Sequence, residues 1–435
     1  MIRTRFAPSP TGNVHIGNIR AALYNWLFAR HQQGQFLLRI EDTDRERSTP
    51  EAVQTVLAAM EWLGLTPDEP PVYQSQRRTA HLTAAQQLLE SGHAYKQDKG
   101  ATGKGEAILF RMPGQESQFT DLVKGPLRKA AKDMTDFVIV RSDGAPVFHL
   151  ANVVDDIHMN VTHVIRGDDH TENTFRHIAL YQALDAPVPA FAHLPMIVNA
   201  QGKPYAKRDG DAFVGDFRSN GYLPEALLNY LALLGWSPGD DREVLTPDEL
   251  VAAFDLDRVQ ASAAQFDLRK LEWINGEHLR KLPRTTHREH YRRAIPQADR
   301  DPAYLDAVIA VMEDRIKKWS DIPIMAGFFF SEDYPYDEKA VQKRLHRTGA
   351  LELLGALREA LAQCDPFSEE TTEATLRALV TARGVKPADC IHPLRIAVSG
   401  LPFGPSLFAM LVVLGRDRVL QRIDRTCNRF APGKE

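Results

Sequence analysis

The chain has 435 residues, which is too many for one ordinary hydrophobic core, so two to four domains are expected. Its hydrophobic fraction of 43% and charged fraction of 25% are those of soluble globular proteins. No apolar run approaches the roughly 18 residues of a membrane span, and the N-terminus lacks a signal-peptide core. A cytoplasmic, non-membrane protein is expected. The three cysteines, Cys364, Cys390 and Cys427, have no spacing that indicates a disulfide scaffold.

The net charge of −4 does not by itself indicate a nucleic-acid partner. Residues 281–435 carry 24 Lys and Arg against 21 Asp and Glu, whereas residues 1–280 carry 29 against 36. An RNA-binding protein can rely on local basic patches, because salt-sensitive affinity follows the contacts made rather than the total charge. Charge alone therefore leaves the question of an RNA partner open.

The first predicted element is a short apolar strand, which leads through a loop into an amphipathic helix over residues 19–33. The loop and the start of the helix contain Pro8, Thr11, Gly12, His15, Gly17 and Asn18. A helix N-terminus offers free backbone N–H groups and the positive end of the helix dipole, so phosphate is the expected ligand. The imidazole of His15 could reach a phosphate oxygen, and the small Gly17 allows close approach of the backbone. A His-x-Gly pair alone would more often mark a simple connector.

Strands and helices then alternate. A strand is predicted over residues 35–41, a helix over 50–63 with Pro50 at its first position, and a helix over 79–91. Such alternation predicts a parallel sheet that binds ligands beyond the carboxyl ends of its strands, where Glu41 stands. Residues 94–146 are polar and glycine-rich with short strands such as 107–111, which indicates an insertion. The sheet resumes with strands over 161–167 and 194–198.

After residue 220 the strand patterns fade and helical ones dominate. Apolar residues spaced by three and four predict helices over 224–234, 247–254, 268–279, 303–319 and 370–383. A domain boundary is predicted in the Arg- and Pro-rich segment 283–301. The C-terminal part should therefore be all-helical.

The loop around His15 resembles the ATP-binding HIGH element of class I aminoacyl-tRNA synthetases, in the form seen in glutamyl-tRNA synthetases. Four later stretches match the same family in order: RIEDTD (39–44), FHLANVVDD (148–156), VIRGDDH (164–170) and KPYAKRDG (203–210). A helix, GYLPEALLNYL (221–231), and a fainter GPSLF (404–408) extend the resemblance over nearly the full chain. The collinear set is specific to the family.

The resemblance implies a Rossmann-like α/β class I synthetase catalytic core with an inserted α+β acceptor-binding segment, followed by all-helical C-terminal domains. The core would occupy residues 1–93 and 147–220, separated by a shortened acceptor-stem-binding segment at 94–146. A helical stem-contact domain would follow at 221–300, and a helical anticodon-binding domain at 301–435.

Site residues follow from the same resemblance. The catalytic residues would be His15, Lys207 and Arg208. ATP would be bound by Pro8, Thr11, Gly12, His15, Gly17, Asn18 and Lys207. The amino acid would be bound by Arg5, Ala7, Ser9, Glu41, Phe148, Asn152 and Arg166, with Glu41 receiving its ammonium group. A supporting charge network is expected from Asp42, Asp44, Arg45 and Arg47.

Each of these residues also has a structural interpretation. A buried guanidinium suits a substrate carboxylate because it can make two parallel charge-assisted hydrogen bonds, and Arg5 and Arg166 both stand at predicted strand ends. Taken alone, Arg5 would more often be a surface residue at a strand edge, and Glu41 could cap the next helix. Lys207 and Arg208 alone would usually be solvated surface charge.

The sequence departs from the family pattern in several places. Ala206 stands where Ser is common, Pro204 and Tyr205 replace the usual Lys and aliphatic pair, and Phe148 replaces a Tyr whose hydroxyl touches the substrate. Phe148 is therefore carried over only as a pocket wall. Relatives carry zinc ligands after a segment like 92–95, but no cysteine precedes Cys364 here, so no structural zinc is predicted. Four histidines are interpreted as structural or solvent-facing: His158, His163, His170 and His177.

The expected activity is ligation of L-glutamate to the 3′ end of tRNA(Glu), with ATP and Mg²⁺, through glutamyl-adenylate. Charging of tRNA(Gln) is left open, and a monomer is expected. Candidate anticodon contacts are Arg347, Arg358, Lys343 and Arg344. The alternatives are a nucleotidylyltransferase acting on a small metabolite, which needs no helical extension such as 221–435, and a regulatory paralogue, suggested by Phe148 and Ala206. The motif at 7–12 disfavours a glutaminyl-tRNA synthetase.

Overall fold

The computed structural model describes residues 1–10, 12–44, 48–98, 105–299 and 301–431. Its internal contacts divide the chain into two compact units, residues 1–274 and 275–435. This division lies N-terminal to the segment 283–301 in which the sequence predicts a boundary. Within the described residues, no helix is long and apolar enough to cross a membrane.

The first unit contains the strands. They are β1 Arg3–Phe6, β2 Gln35–Ile40, β3 Val72–Tyr73, β4 Ala94–Gln97, β5 Ala107–Phe110, β6 Ser117–Asp121, β7 Gly125–Lys129, β8 Phe137–Val140, β9 His163–Gly167, β10 Ala190–Leu194, β11 Ile197–Val198 and β12 Ala264–Gln265. Its helices are α1 Ile16–His31, α2 Pro50–Trp62, α3 Arg78–Glu90, α4 Phe148–His158, α5 Thr171–Ala183, α6 Val214–Ser219, α7 Pro224–Leu233 and α8 Pro247–Ala253. Helix α9, Leu268–Arg280, contains the division between the units.

Two parallel arrays form the core of this unit. Strands β1, β2 and β3 pair in parallel in the order β1-β2-β3, and β6, β10 and β9 pair in parallel in the order β6-β10-β9. The arrays meet where the backbone N–H of Thr162 donates to the carbonyl of Arg3 at 2.9 Å. Asn25 of α1 fixes the junction, since its Nδ2 donates to the carbonyl of Ile165 and its own carbonyl accepts from the Thr4 hydroxyl. The predicted α/β core is confirmed.

The segment between the two halves of the core has two parts. Strands β4, β5 and β8 form an antiparallel sheet of their own. Strands β6 and β7 form an antiparallel hairpin, and β6 joins β10 through the pair Asp121 and Phe191. The hairpin therefore extends the core sheet, although it lies within residues 94–146.

Three predicted elements differ from the structure. Helix α1 begins at Ile16 rather than at residue 19, because the His15 side chain caps it. The single strand predicted over 194–198 is split, and Pro195, which has no N–H to donate to a strand ladder, lies at the break. The helix predicted over 303–319 ends at Met312. Ile316, which continues the apolar spacing, is buried from the loop that follows the helix.

In the described residues, the second unit is helical throughout. It contains α10 Arg284–Ala294, α11 Pro302–Met312, α12 Asp321–Ala326, α13 Glu338–Arg344, α14 Ala350–Ala362, α15 Glu369–Arg383, α16 Pro387–Ser399, α17 Leu407–Leu414 and α18 Arg416–Arg429. The predicted helical C-terminal region is confirmed. Arg422 of α18 is fully buried, where it donates to the carbonyls of Val398 and Phe328 and pairs with Glu332.

Candidate active site

A cavity of about 680 Å³ opens at the carboxyl ends of β1, β2, β9 and β10, beside the N-terminus of α1. This is the edge at which open parallel α/β sheets bind their ligands. Most of the residues predicted for the site line it: Arg5, Ala7, Pro8, Ser9, His15, Gly17, Asn18, Glu41, Phe148, Asn152 and Arg166. Residues that are far apart in the sequence therefore share one cavity.

The remaining predicted residues lie elsewhere. Gly12, Lys207 and Arg208 do not line the cavity, and Thr11 lies outside the described residues. Lys207 is exposed, and its Nζ lies 5.8 Å from the centre of the Phe213 ring. That ring meets the His15 ring edge-on, with 6.0 Å between their centres. The Phe213 ring therefore contacts both the Lys207 ammonium group and the His15 ring.

The loop that carries Lys207 is closed by hydrogen bonds of its own. Nδ2 of Asn199 donates to Oδ1 of Asp209 at 2.9 Å, and Oδ2 of Asp209 accepts the backbone N–H of Ala206, also at 2.9 Å. Pro204 and Tyr205 of this loop line the cavity. The Tyr205 ring packs on Phe266 with 4.4 Å between ring centres. The departure at 205 thus anchors the loop beside the cavity through its ring.

His15 acts first as the cap of α1. Its Nδ1 accepts the backbone N–H of Gly17 at 3.0 Å, which satisfies one of the free donors of the helix N-terminus. A Cβ at position 17 would lie 3.2 Å from that Nδ1, so glycine suits the position. Burial lowers the pKa of His15, although a hydrogen bond to the Tyr205 backbone opposes the shift. With Nδ1 used by the cap, a phosphate can reach only the Nε2 edge, where it would compete with the Tyr205 backbone.

Four buried charges join the ends of β1 and β2 to helix α4. Nε of Arg5 lies 3.1 Å from Oδ1 of Asp156, and Arg39 pairs with the same carboxylate. Arg39 also donates to Oε1 of Glu41 at 3.2 Å. Burial opposes ionisation of Asp156, yet the two guanidinium groups lower its pKa. Sequence reasoning did not single out Arg39 or Asp156, although both lie inside quoted motifs.

Two structural alternatives from the sequence are wrong. Arg5 is only 3% exposed, so it is not a surface residue at a strand edge. Glu41 does not cap the next helix, because α2 is capped by Thr49, whose hydroxyl accepts the N–H of Ala52. Instead, Oε1 of Glu41 accepts from Nδ2 of Asn152 at 2.9 Å. Burial raises the pKa of Glu41, and Arg39 and Arg5 partly offset this effect.

Asn152 lines the same cavity and has a buried side-chain oxygen. Its Nδ2 is used by Glu41, but its Oδ1 has no hydrogen-bond partner in the described part of the chain. Leaving a buried acceptor unpaired costs about 1–3 kcal/mol. A ligand with an N–H donor would remove this cost, so the pair Glu41 and Asn152 suits an ammonium group.

Arg166 is buried among neutral acceptors. Its Nε donates to Nε2 of His193 at 3.2 Å, and its Nη2 donates to the Thr174 hydroxyl at 2.7 Å and to the His170 carbonyl at 3.2 Å. Its Nη1 lies 3.4 Å from Nδ1 of His177. Among the described residues, no carboxylate lies within ion-pair distance of this guanidinium.

The fold therefore opposes the charge on Arg166. Burial lowers its pKa to about 9, and the nearby Arg5 acts in the same direction. An unpaired buried charge is costly unless an opposite charge reaches it. Since Arg166 lines the cavity, an anionic group bound there would supply that charge.

The histidines around this guanidinium were only partly anticipated. His163 packs against Phe28, and His158 hydrogen-bonds with Arg77, as structural residues would. His170 lines the cavity, however, and His177 contacts Arg166. The ring of Phe148 lies 5.7 Å from both, centre to centre, in the cavity wall. A signal for His170 existed in the VIRGDDH motif, but His177 had none.

The expected supporting network is described only in part. Asp42 accepts the backbone N–H and the hydroxyl of Ser75 at 2.8 and 2.7 Å, so it anchors the segment after β3. Arg45 and Arg47 lie outside the described residues. In the part of the chain that is described, no group of three or more His, Cys, Asp or Glu could hold a metal ion. The absence of zinc stays a prediction.

The candidate anticodon contacts differ in how they are used in the second unit. Arg358 makes a two-pronged ion pair with Asp424, with N to O distances of 3.0–3.2 Å, and Arg347 pairs with Asp389 at 3.0 Å. Lys343 and Arg344 have no ion pair among the described residues. Lys343 and Arg344 are therefore more available for contact with another molecule than Arg347 and Arg358.

The fold and the cavity together define a class I tRNA synthetase. Strand β1 leads through the His-x-Gly loop into helix α1, whose N-terminus lies beside the cavity. The loop that carries Lys207 lies next to that N-terminus. The family model of class I tRNA synthetases (E and Q), catalytic domain, matches residues 1–103 and 97–273. A model of an anticodon binding domain matches residues 288–427.

Curated relatives and solved structures agree with these matches. A glutamate–tRNA ligase from Moorella thermoacetica is 39% identical, over 98% of this chain and 97% of that protein. One from Xanthomonas axonopodis is 42% identical over 97% of both chains. A crystal structure of a glutamate tRNA ligase from Elizabethkingia meningosepticum, in complex with its amino acid, aligns with a TM-score of 0.82 at 30% identity, covering 98% of this chain and 99% of that one. The chain belongs to the class I tRNA synthetase family of the E and Q type.

Proposed function

We propose that this chain is a glutamate–tRNA ligase. It activates L-glutamate with ATP to glutamyl-adenylate and transfers the glutamyl group to the 3′ end of tRNA(Glu). The observation that carries the choice of substrate is Arg166, a buried guanidinium that lines the cavity without a carboxylate partner in the described chain. The full-length relatives that are named glutamate–tRNA ligases support the same choice.

Glutamate has three charged groups: the side-chain carboxylate, the ammonium group and the α-carboxylate. The cavity offers a binding partner for the first two. The side-chain carboxylate pairs with Arg166, with Arg5 nearby as the second cation. The ammonium group is received by Glu41 and by the unpaired Oδ1 of Asn152. Ala7 and Ser9 border the bound amino acid, and Phe148 forms its wall. This placement leaves the α-carboxylate for reaction with ATP.

ATP binds at the N-terminus of α1, where Pro8, His15, Gly17 and Asn18 line the cavity. Gly12, and Thr11 outside the described residues, belong to the same predicted phosphate loop. The proton on Nε2 of His15 can be donated to a phosphate oxygen, because Nδ1 accepts from Gly17. A phosphate in that position replaces the contact of the ring with the Tyr205 backbone. Binding of ATP should therefore shift the loop that carries Lys207.

The chemical step needs positioning and charge stabilisation rather than a covalent nucleophile. An α-carboxylate oxygen of glutamate attacks the α-phosphorus, and pyrophosphate leaves. Lys207 and Arg208 neutralise the charge that develops on the departing phosphates. Mg²⁺, which prefers phosphate oxygens and water as ligands, fits here as an ion carried by the nucleotide. Loss of one hydroxyl at Ala206 should cost about 1 kcal/mol if it would have bonded a phosphate.

The remaining segments bind tRNA. The segment 94–146 contacts the acceptor end, residues 221–300 contact the stem, and residues 301–435 read the anticodon, where unpaired bases can be splayed out and stacked. Lys343 and Arg344 are better candidates for that contact than Arg347 and Arg358, which are already paired. We expect a cytoplasmic monomer.

The direct test is a charging assay. The purified protein, ATP and Mg²⁺ are incubated with tRNA(Glu) or tRNA(Gln) and with labelled glutamate or glutamine. Esterified glutamate on tRNA(Glu) is the expected result, and the tRNA(Gln) arm shows whether that tRNA is charged as well. No esterified glutamate on either tRNA would exclude the proposal and favour a regulatory paralogue.

A further inference from the structure

We propose that Asp121, His193 and Thr174 are positioning residues that hold Arg166 in place for the glutamate side chain. The inference rests on the proposed function. Sequence reasoning assigned none of the three to the site, and none of them lines the cavity. They lie on β6, β10 and α5, respectively, behind Arg166 of β9.

The first step is the pair of Asp121 and His193. Oδ2 of Asp121 lies 2.6 Å from Nδ1 of His193, and both side chains are buried. Burial opposes ionisation of Asp121, but the hydrogen bond from His193 and two backbone N–H groups lower its pKa. An ionised Asp121 can only accept at this contact, so the imidazole proton is held on Nδ1. The other ring nitrogen of His193 must then be an acceptor.

The second step is the acceptance of the Arg166 donors. Arg166 and His193 are direct partners in the β9–β10 pairing, so their side chains emerge on the same face. Nε of Arg166 donates to Nε2 of His193 at 3.2 Å, and Nη2 donates to the Thr174 hydroxyl, which itself lies 3.0 Å from the same His193 Nε2. Two sides of the planar guanidinium are thereby fixed. Nη1 already contacts His177 with one N–H group, so its second N–H group is the donor left for a ligand.

The third step is electrostatic. A carboxylate placed directly on Arg166 would hold it equally well, but it would cancel the charge that the substrate needs. Arg5 shows that arrangement, because it lies directly on Asp156. The neutral His193 ring instead separates Asp121 from Arg166, so the guanidinium is oriented while its charge stays available to the cavity.

The chain contains a matched control. Asp155 and His81 form a second buried pair, with 2.8 Å between Oδ1 and Nε2. The other hydrogen-bond partners of Asp155 are Gln74 and Arg77. None of these four residues lines the cavity. The two carboxylates are both buried, and Asp155 has an additional ion pair with Arg77, but only Asp121 is linked to Arg166.

The main variant is Asp121→Asn. Oδ1 of Asp121 accepts the backbone N–H groups of Val123, Lys124 and His193, and an Asn oxygen can keep all three bonds. The new amide group, however, would donate to Nδ1 of His193 and move the imidazole proton to Nε2. Two donors would then face each other at Arg166. We expect the KM for glutamate to rise about tenfold or more, with the KM for ATP unchanged.

The second variant pair tests the same point without the carboxylate. Thr174→Val keeps the shape of the side chain but removes the hydroxyl that accepts from Arg166, whereas Thr174→Ser keeps the hydroxyl. We expect a raised KM for glutamate in Thr174→Val and a nearly normal KM in Thr174→Ser. This pair decides the question if Asp121→Asn does not fold.

All variants, with Asp155→Asn as control, are measured by charging of tRNA(Glu) with labelled glutamate and by urea unfolding. A glutamate KM within twofold of the parent in Thr174→Val or in a folded Asp121→Asn overturns the inference. So does an equal rise of the KM for ATP, or an equal glutamate effect in Asp155→Asn, because either would indicate general loss of packing. Failure of the parent protein to charge tRNA is different, since it would reject the proposed function itself.

Discussion

Replacing Arg166 with glutamine separates substrate recognition from folding. The guanidinium has five N–H donors, and its contacts with His193, Thr174, His170 and His177 use four of them. One donor on Nη1 is left for a ligand carboxylate. A charge-assisted hydrogen bond of about 2 kcal/mol corresponds to about a 30-fold change in affinity. Arg166→Gln should therefore weaken glutamate binding by about that factor or more.

The same substitution removes hydrogen bonds to buried acceptors but breaks no ion pair, so it should cost less stability than the loss of a paired guanidinium. Arg166 has no carboxylate partner among the described residues, and burial already opposes its charge. Arg5→Gln provides the contrast, because it removes a buried ion pair with Asp156, and breaking such a pair typically costs about 3–5 kcal/mol. Urea unfolding without ligand should show a clearly larger loss for Arg5→Gln than for Arg166→Gln.

Titration calorimetry with L-glutamate, together with the KM in the charging assay, checks the affinity. A dissociation constant for Arg166→Gln within threefold of the parent value would refute the reasoning, because the unpaired guanidinium would then not meet the substrate. Equal destabilisation by Arg166→Gln and Arg5→Gln would refute the expectation that the charge of Arg166 adds less to the stability of the fold than the charge of Arg5.

Four further changes have expected outcomes. Lys207→Ala should slow charging about tenfold or more, equal to about 1.4 kcal/mol of transition-state stabilisation; an unchanged rate would remove Lys207 from the reaction. Phe148→Tyr restores a hydroxyl to the cavity wall and should lower the KM for glutamate, so a raised KM would contradict its position there. Burial and Arg176 lower the pKa of His149 to about 4. As the pH falls below 6.5, the unfolded chain therefore takes up a proton at His149, whereas the folded chain does not. The parent should thus lose more stability than His149→Gln between pH 7 and 5 in urea unfolding, and equal losses would disprove the shift. Thr49→Ala should cost about 1 kcal/mol in the same assay through loss of the α2 cap, and no change would show that the cap is dispensable.

Local chemistry explains what could be read from the sequence. The helix N-terminus at His15, the Thr49 and Pro50 start of α2, and the alternation of strand and helix all depend on residues close together in the chain. Because signals of this kind depend only on neighbouring residues, they can be recognised without knowledge of the tertiary structure. The quoted motifs also placed Arg5, Glu41 and Arg166 together, since the carboxyl ends of parallel strands meet at one edge of the sheet.

Other features had no local signal. The strand predicted over 194–198 is interrupted at Pro195, so it shares only Leu194 with β10 and its last two residues with β11. The apolar spacing after Met312 is satisfied by Ile316 from a loop rather than from a helix. Periodicity reports which side chains are buried, and more than one backbone path can bury the same set. The partners of Arg5 and Arg39 were missed for a similar reason, because Asp156 lies more than a hundred residues away in the chain.

The sequence by itself determined the family, the α/β core, the helical C-terminal region and the residue types of the cavity. Only the tertiary structure decided how the two guanidinium groups differ, with Arg5 paired to a carboxylate and Arg166 held by neutral groups. That difference depends on β6, β9 and β10 lying side by side, which brings Asp121 and His193 behind Arg166. Charge pairing is set by distance in space, and the order of residues along the chain does not specify that distance.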